Sequence, residues 1–537
     1  MSKALLPIQE IARKLGISDA YFEPIGHYGA KLKLELLSDA AFPRRGKLIL
    51  VTATTPTASG EGKTVTSIGL TQGLERIGKK AVITSREPSL GPIFGMKGGA
   101  AGGGMSQIEP NQKINLHFHG DFHAVTTAHN LLAALLDAHL YHGNELGLDP
   151  EQISWPRTLD MNDRALRHIA VSVGGKREGA GRHTGFVIAA ASEVMAILAL
   201  AKSREDLRRR LEAIVVGVSR AGKRVSARDL GATGAMLALL NDALLPNLVQ
   251  TSEGTPAMVH AGPFGNIAHG TSSVLAHEMG LRLADYVVNE AGFAADLGAE
   301  KYVDIVMRAS GIAPAVAVLV TSVQSLRLQG EGDLERGFAN LAKHVEILRR
   351  LGLPIVAAIN HFPKDTPAEL ERIAGYCGEL GVASARSEAF AKGGLGAVDL
   401  AEKVVETIAK NPNVTPRPIY ALEERLTEKI QKVAQEVYGA SGVSYSEEAE
   451  RKLRQFSEWG CAGLPICIAK TQYSISDNPK LPGAPRDWTL HVTDASLSAG
   501  AGFVVVLAGN IMLMPGLGKV SRAAQIDVSS AGEILGV

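Results

Sequence analysis

Apolar positions set the first expectation. Leu48 to Val51 form an apolar run that leads through Thr-Pro and a small-residue loop into Val65, Ile68, Leu70, Leu74 and Ile77 at helical spacing. That order predicts strand, loop, helix. A second strand follows at Ala81 to Thr84, and further apolar segments recur at 168–173, 188–200, 214–218, 286–289, 315–320 and 355–359. Between them, Leu131, Leu132, Leu135, Leu136 and Leu140 mark one amphipathic helix, and Leu334, Phe338, Leu341, Val345 and Leu348 another. Alternating strands and helices of this kind predict an α/β fold with a doubly wound, mostly parallel sheet. Near the C-terminus the character changes, with Trp488, Leu490 and Val492 alternating with polar residues and a β-rich run at Phe503 to Leu507. The expected division is a large α/β domain at 1–345, a second α/β domain at 346–475 and a small β-rich domain at 476–537.

The first strand–loop–helix unit carries chemistry. Its loop ends Gly60-Glu61-Gly62-Lys63-Thr64, so backbone amides and a helix N-terminus would face a bound anion. Lys63 would reach β and γ oxygens, and the Thr64 hydroxyl would ligate magnesium. Thr57, Ala58, Ser59, Gly60, Glu61, Gly62, Lys63 and Thr64 are therefore the candidate nucleotide contacts, and the sheet is expected to be of the P-loop NTPase type. The loop departs from G-x-x-x-x-G-K-T in having Thr57 where glycine is expected; a plain glycine turn capping a helix is the competing reading. One strand over, Arg86 and Glu87 should emerge on the same sheet edge.

Two other stretches are dense in polar residues. Gly95 to Gly104 is too rich in glycine for an element interior, and His117, His119, Asp121 and His123 are spaced two apart, so an extended chain would put them on one face. A structural or substrate-orienting role is favoured there over a metal cluster. The loop Thr255 to Ser273 offers His260, Asn266 and His269 as candidate substrate contacts.

Composition narrows the class without naming it. The 537 residues carry 56 basic and 55 acidic side chains, a net charge of +1, which gives no footprint for nucleic acid. Arg208 to Arg210, the densest basic run, are expected to face solvent. Three cysteines without a C-x-x-C pair fit free thiols in a reducing compartment. The longest apolar stretch, Phe186 to Ala201, is broken by Ser192 and Glu193 and is too short to span a bilayer. A soluble, cytoplasmic protein without a membrane partner is expected.

Taken together, TPTASGEGKT, REPSLGPIFGMKGGAAGGG, INLHFHGDFHAVTTAHNLLAALLDAH, GPFGNIAHG, DYVVNEAGFAADLGAEK, KTQYSISD and MPGLGK resemble the formate–tetrahydrofolate ligase (10-formyltetrahydrofolate synthetase) family, in order and over nearly the whole chain. The resemblance implies a monofunctional enzyme that uses ATP with Mg2+ to convert formate to formyl phosphate and passes the formyl group to N10 of tetrahydrofolate. It implies catalytic roles for Lys63 and Arg86, with Asp121 and His123 at the site's edge. Glu87 would orient Arg86 or supply oxygen to an activating monovalent cation, K+ or NH4+. Phe293 resembles an aromatic that contacts nucleotide or product. Phe362 and Phe390 match the aromatics beside the pterin, which assigns folate binding to the 346–475 segment; tryptophan is expected at the second position, so Phe390 is a departure. The segment Leu326 to Arg336 is shorter than the family's usual connection. A homotetramer is also implied. The loop alone would equally allow an ATPase that switches a protein partner, and a folate-binding homologue without activity would keep the fold; the presence of Lys63, Arg86 and the loop weighs against the latter.

Overall fold

The computed structural model describes residues 4–57, 60–95, 101–175, 179–265, 267–532 and 534–536. Its large sheet uses ten strands in one path, β1 (Phe22–Pro24), β2 (Ala30–Leu32), β3 (Lys47–Ala53), β4 (Ala81–Ser85), β5 (Asn247–Thr251), β6 (Pro256–Val259), β7 (Tyr286–Glu290), β8 (Pro314–Thr321), β9 (Ile355–Asn360) and β10 (Ala383–Ser387). Their spatial order is β1-β2-β5-β6-β4-β7-β3-β8-β9-β10, and the strands from β6 to β10 run parallel. Short strands at 102–103 and 106–109 pair off this path, making twelve strands among the described residues. The sheet is thus mostly parallel with an antiparallel edge.

The apolar runs are buried on both faces, which is why they read as near-continuous rather than alternating. Ile49, Val51 and Ala53 of β3 pack with Leu70 and Leu74 of helix α1 (Lys63–Arg76), while Leu48 and Leu50 join the opposite core with Leu275 and Met279 of α2 (Val274–Leu283). Truncating one such leucine costs about 2–5 kcal/mol. With helices pressed against both faces, the strand ends are the accessible part. The C-terminal ends of β3, β4, β7, β8 and β9 therefore form one edge, and the loops that follow them share it.

The large sheet is continuous across 345/346, where β8 and β9 pair directly from Ala317 with Ile355 to Thr321 with Ile359. The segment bearing Phe362 and Phe390 thus continues the sheet that carries the glycine-containing loop after β3. At the C-terminal end, a four-stranded sheet of order β11-β13-β14-β12 combines β11 (Gly442–Tyr445), β12 (Ile466–Ala469), β13 (Thr489–Ser498) and β14 (Phe503–Ala508), so half of its strands precede residue 476. Parallel pairing of β11 with β13 and of β12 with β14 explains this, since parallel neighbours need long crossovers.

The basic run at 208–210 is also divided. Arg208 and Arg209 are exposed, but Arg210 is largely buried and donates to the carbonyls of Gly500 and Ala501. The turn between β13 and β14 is held from the other side by Glu193, whose Oε1 accepts the Gly500 and Ala501 amides at 2.7 and 3.3 Å. Burial raises the Glu193 carboxyl to about 7. No helix among the described residues is long and apolar enough to cross a membrane.

Candidate active site

The loop after β3 is built around Glu61. Its Oε1 accepts the Thr57 amide at 2.7 Å, its Oε2 accepts the Ser322 hydroxyl at 2.6 Å, and its carbonyl accepts Asn360 Nδ2 at 3.1 Å. This explains the missing glycine. The Thr57 amide is turned into the loop onto Glu61, and its backbone is not left-handed, so nothing at that position demands glycine. Gly62 does demand it: φ is 72°, and a Cβ there would stand 2.2 Å from Asn360 Nδ2. Ala58 and Ser59 lie outside the described residues. Burial raises the Glu61 carboxyl, while its hydrogen bonds to Ser322 and Thr57 pull the other way.

Strand order brings the next groups together. Because β7 is inserted between β3 and β4, its last residue, Glu290, stands between the start of α1 and the end of β4. Thr64 Oγ1 donates to Glu290 Oε2 at 2.7 Å; Lys63 Nζ and Arg86 Nη2 lie 4.0 and 3.7 Å from Glu290 Oε1. Lys63 also donates to the Phe293 carbonyl at 2.6 Å, and Arg86 Nη1 to the Pro263 carbonyl at 3.1 Å. Phe293 sits at the turn with φ of 60°. Burial lowers both the Lys63 ammonium and the Arg86 guanidinium from their ordinary values, and the Glu290 carboxylate opposes that shift. Two cations and a hydroxyl converge on one carboxylate.

Glu87 turns away from Arg86 into a separate buried cluster. There Lys31 Nζ donates to both oxygens of Asp121, at 2.7 and 2.8 Å, and Asn247 Nδ2 donates to Asp121 Oδ2 at 2.7 Å. Glu87 Oε2 is buried without a hydrogen-bond partner among the described residues. Burial, with the Asp121 charge adding to it, holds the Glu87 carboxyl well above the ordinary range, and Lys31 opposes. The extended His-x-His-x-Asp-x-His face does not form, because Gly120 at φ 85° starts a helix beside this cluster, Asp121–Tyr141. Asp121 points inward, whereas His117 and His123 are exposed and His123 Nε2 lies 3.5 Å from Thr127 Oγ1. In the 255–273 loop, His260 is buried between Ser273 Oγ at 2.6 Å and the Ala243 carbonyl at 2.7 Å, a structural placement. His269 is buried as well, and Asn266 lies outside the described residues.

The two aromatic positions flank the same edge. Phe362 follows Asn360 by two residues and is half-buried, its amide donating to Asp365 Oδ2 at 2.8 Å. Phe390 is 57% exposed, which rules out a core role. Its carbonyl accepts the Met105 amide at 2.8 Å, and Gly104, with φ of 59°, would place a Cβ 2.1 Å from that carbonyl. The Phe390 ring therefore rests on a glycine ridge near Val65 in the first turn of α1.

A sequence profile described as formate–tetrahydrofolate ligase matches residues 1–537. The chain belongs to the formate–tetrahydrofolate ligase family. It is 50% identical over 544 residues to the formate–tetrahydrofolate ligase of Kosmotoga olearia, covering 99% of this chain and 98% of that one. Against the enzyme of the same name from Methylobacterium nodulans it is 52% identical over 545 residues, with 99% and 98% covered. The Thermotoga petrophila enzyme of that name is 50% identical over 542 residues, with 99% of each chain covered.

On this formate–tetrahydrofolate ligase family chain the structure gathers Lys63, Thr64, Arg86 and Phe293, places Glu87 and Asp121 in a neighbouring buried cluster, and leaves His123 outside both. Glu290, Ser322, Asn360 and Lys31 touch these groups and were passed over in the sequence. Glu290 had a readable signal, an acid directly after the apolar strand 286–289. The other three depend on which strands are neighbours.

Proposed function

We propose that the chain joins formate to tetrahydrofolate at the expense of ATP, giving 10-formyltetrahydrofolate, ADP and phosphate through formyl phosphate. The observation that carries this reading is the convergence of Lys63, Thr64 and Arg86 on Glu290 beside a phosphate loop, in a chain that matches the family from end to end. Formate is a poor electrophile until one oxygen becomes a leaving group. In the first step a formate oxygen bonds to the γ-phosphorus and the bond to the bridging oxygen breaks, releasing ADP. In the second, N10 bonds to the formyl carbon, phosphate leaves, and N10 gives up a proton.

Positioning and charge neutralisation do most of this work. Lys63 would neutralise the transferring phosphoryl group from the start of α1, and the Arg86 fork would hold formate and then formyl phosphate. Glu290 keeps both cations aimed at one place. The Thr64 hydroxyl and the Glu290 carboxylate, 2.7 Å apart, form an oxygen donor set that fits magnesium, which when bound supplies charge neutralisation at the phosphates. The partnerless buried oxygen of Glu87 fits a monovalent cation, K+ or NH4+. Asp121, already bonded to Lys31 and Asn247, would fix the charge around Glu87. Phe293 would border the nucleotide, and Phe362 and Phe390 the pterin, from a segment treated as the folate part of one continuous sheet. His123, exposed on the helix, is given no step.

The same reading takes the large sheet as a doubly wound sheet of the P-loop NTPase type, supported by the strand–loop–helix unit at Lys47 to Arg76 and helices on both faces. It also takes the protein as a cytoplasmic homotetramer without nucleic-acid or membrane partners, which light scattering would check for mass. An assay with each substrate omitted in turn tests the activity. ADP should form only with formate, and 10-formyl product only with tetrahydrofolate; hydrolysis indifferent to both would favour a nucleotide switch acting on a protein partner.

A further inference from the structure

One side chain joins the phosphate loop to the segment that bears Phe362. Asn360, the last residue of β9, is 4% exposed, and its Nδ2 donates to the Glu61 carbonyl at 3.1 Å while resting so close to Gly62 that a Cβ could not be added there. Its Oδ1 is buried with no hydrogen-bond partner among the described residues, so among them the amide is held by its bond to Glu61 and by contact with the loop. The next residue, His361, donates its amide to the Ser387 carbonyl at 3.0 Å, and its Nδ1 lies 3.4 Å from Glu388 Oε1. Phe362 comes next, and Phe390 two residues beyond Glu388. Three consecutive residues thus reach the loop, the neighbouring strand end and the aromatic position in turn.

The geometry points to Asn360 as a positioning residue that couples occupancy of the nucleotide loop to the readiness of the Phe362–Phe390 site. The inference rests on the reading of those aromatics as the folate site. A nucleotide that fixes Gly60 to Gly62 fixes the Glu61 carbonyl, hence Asn360, and hence the backbone two residues before Phe362, a span of about 7 Å in an extended chain. Linkage makes the effect reciprocal, so folate binding should tighten nucleotide binding by the same factor. Ser322 provides the contrast. It braces the same loop through Glu61 Oε2 from the end of β8, but leads to no aromatic.

The test measures the dissociation constant of the β,γ-imido analogue of ATP with and without saturating tetrahydrofolate, and the reverse, by titration calorimetry of the full chain. In the unsubstituted protein each ligand should tighten the other by about fivefold or more. Asn360→Ala should bring that factor to near one and raise the folate KM at saturating ATP by a larger factor than it lowers kcat. Ser322→Ala should weaken the analogue and leave the factor in place. If Asn360→Ala does not fold, Asn360→Ser serves the same comparison. The inference is overturned if the unsubstituted protein shows no coupling, if the Asn360 variant keeps it, or if Ser322→Ala loses it equally. Absence of formate-dependent ADP in the unsubstituted protein would instead sink the functional reading.

Discussion

Glu290 accepts the Thr64 hydroxyl at 2.7 Å from the end of a strand that lies between the two strands supplying Lys63 and Arg86. This carboxylate is what makes three separate loops one site. Glu290→Ala should leave two half-buried cations without this counter-charge and misplace both. Turnover should fall by about 100-fold or more, in the range seen when a preorganised charge contact is lost. Formate-dependent ADP release checks this, and Glu290→Gln, which keeps the shape, should retain part of the loss.

Arg86→Ala should separate binding from chemistry. The guanidinium is held at the site by the Pro263 carbonyl and by Glu290, and it is assigned to formate rather than to the nucleotide. Turnover should drop about 100-fold with the formate KM raised, while the Kd for the ATP analogue changes less than about threefold. Unchanged formate-dependent turnover would remove Arg86 from its role.

Phe390 is exposed and rests on Gly103 and Gly104, so its substitution should not disturb the core. Phe390→Ala should raise the folate KM by about five- to tenfold, as expected for a lost stacking contact of about 1–1.5 kcal/mol. The ATP KM should stay within about twofold. Equal effects on both would place the ring elsewhere.

Stability should respond to pH in two opposed ways. Burial lowers His129, His260, His277 and His344 from 6.5 to about 4, so below 6.5 the unfolded chain binds more protons than the folded one. Their contribution is present above 6.5 and is lost as pH falls toward 4. Glu193 acts oppositely: raised from 4.5 to about 7, it favours the folded state at low pH and loses that contribution as pH rises from 4.5 through 7. Glu193→Gln should therefore gain stability relative to the unsubstituted protein as pH increases across that window, by on the order of 1 kcal/mol. Thermal unfolding at pH 5 and pH 8 reads both effects.

The strand–loop–helix unit, the Arg86 position and most of the parallel strands were legible because each depends on local spacing. The acid at Glu290 was visible after its strand, but the partners of Glu290 and Asn360 were not, because they depend on β7 inserting between β3 and β4 and on β9 reaching the loop after β3, and sequence order carries no such neighbourhood. The histidine-rich stretch misled for a local reason. Its two-residue spacing suits a strand, but Gly120 takes a left-handed turn and Asp121 opens a helix, so the face divides into an inward carboxylate and an outward imidazole. Thr57 departs from the motif because Glu61, inside its variable part, takes the Thr57 amide.

The central claim is that this edge activates formate by phosphorylation. It is tested most directly by supplying formate labelled with oxygen-18, together with ATP and tetrahydrofolate, and weighing the phosphate released. Transfer of one labelled oxygen from formate into each phosphate is the predicted result. Phosphate carrying oxygen from water instead, with ADP formed at the same rate, would contradict it.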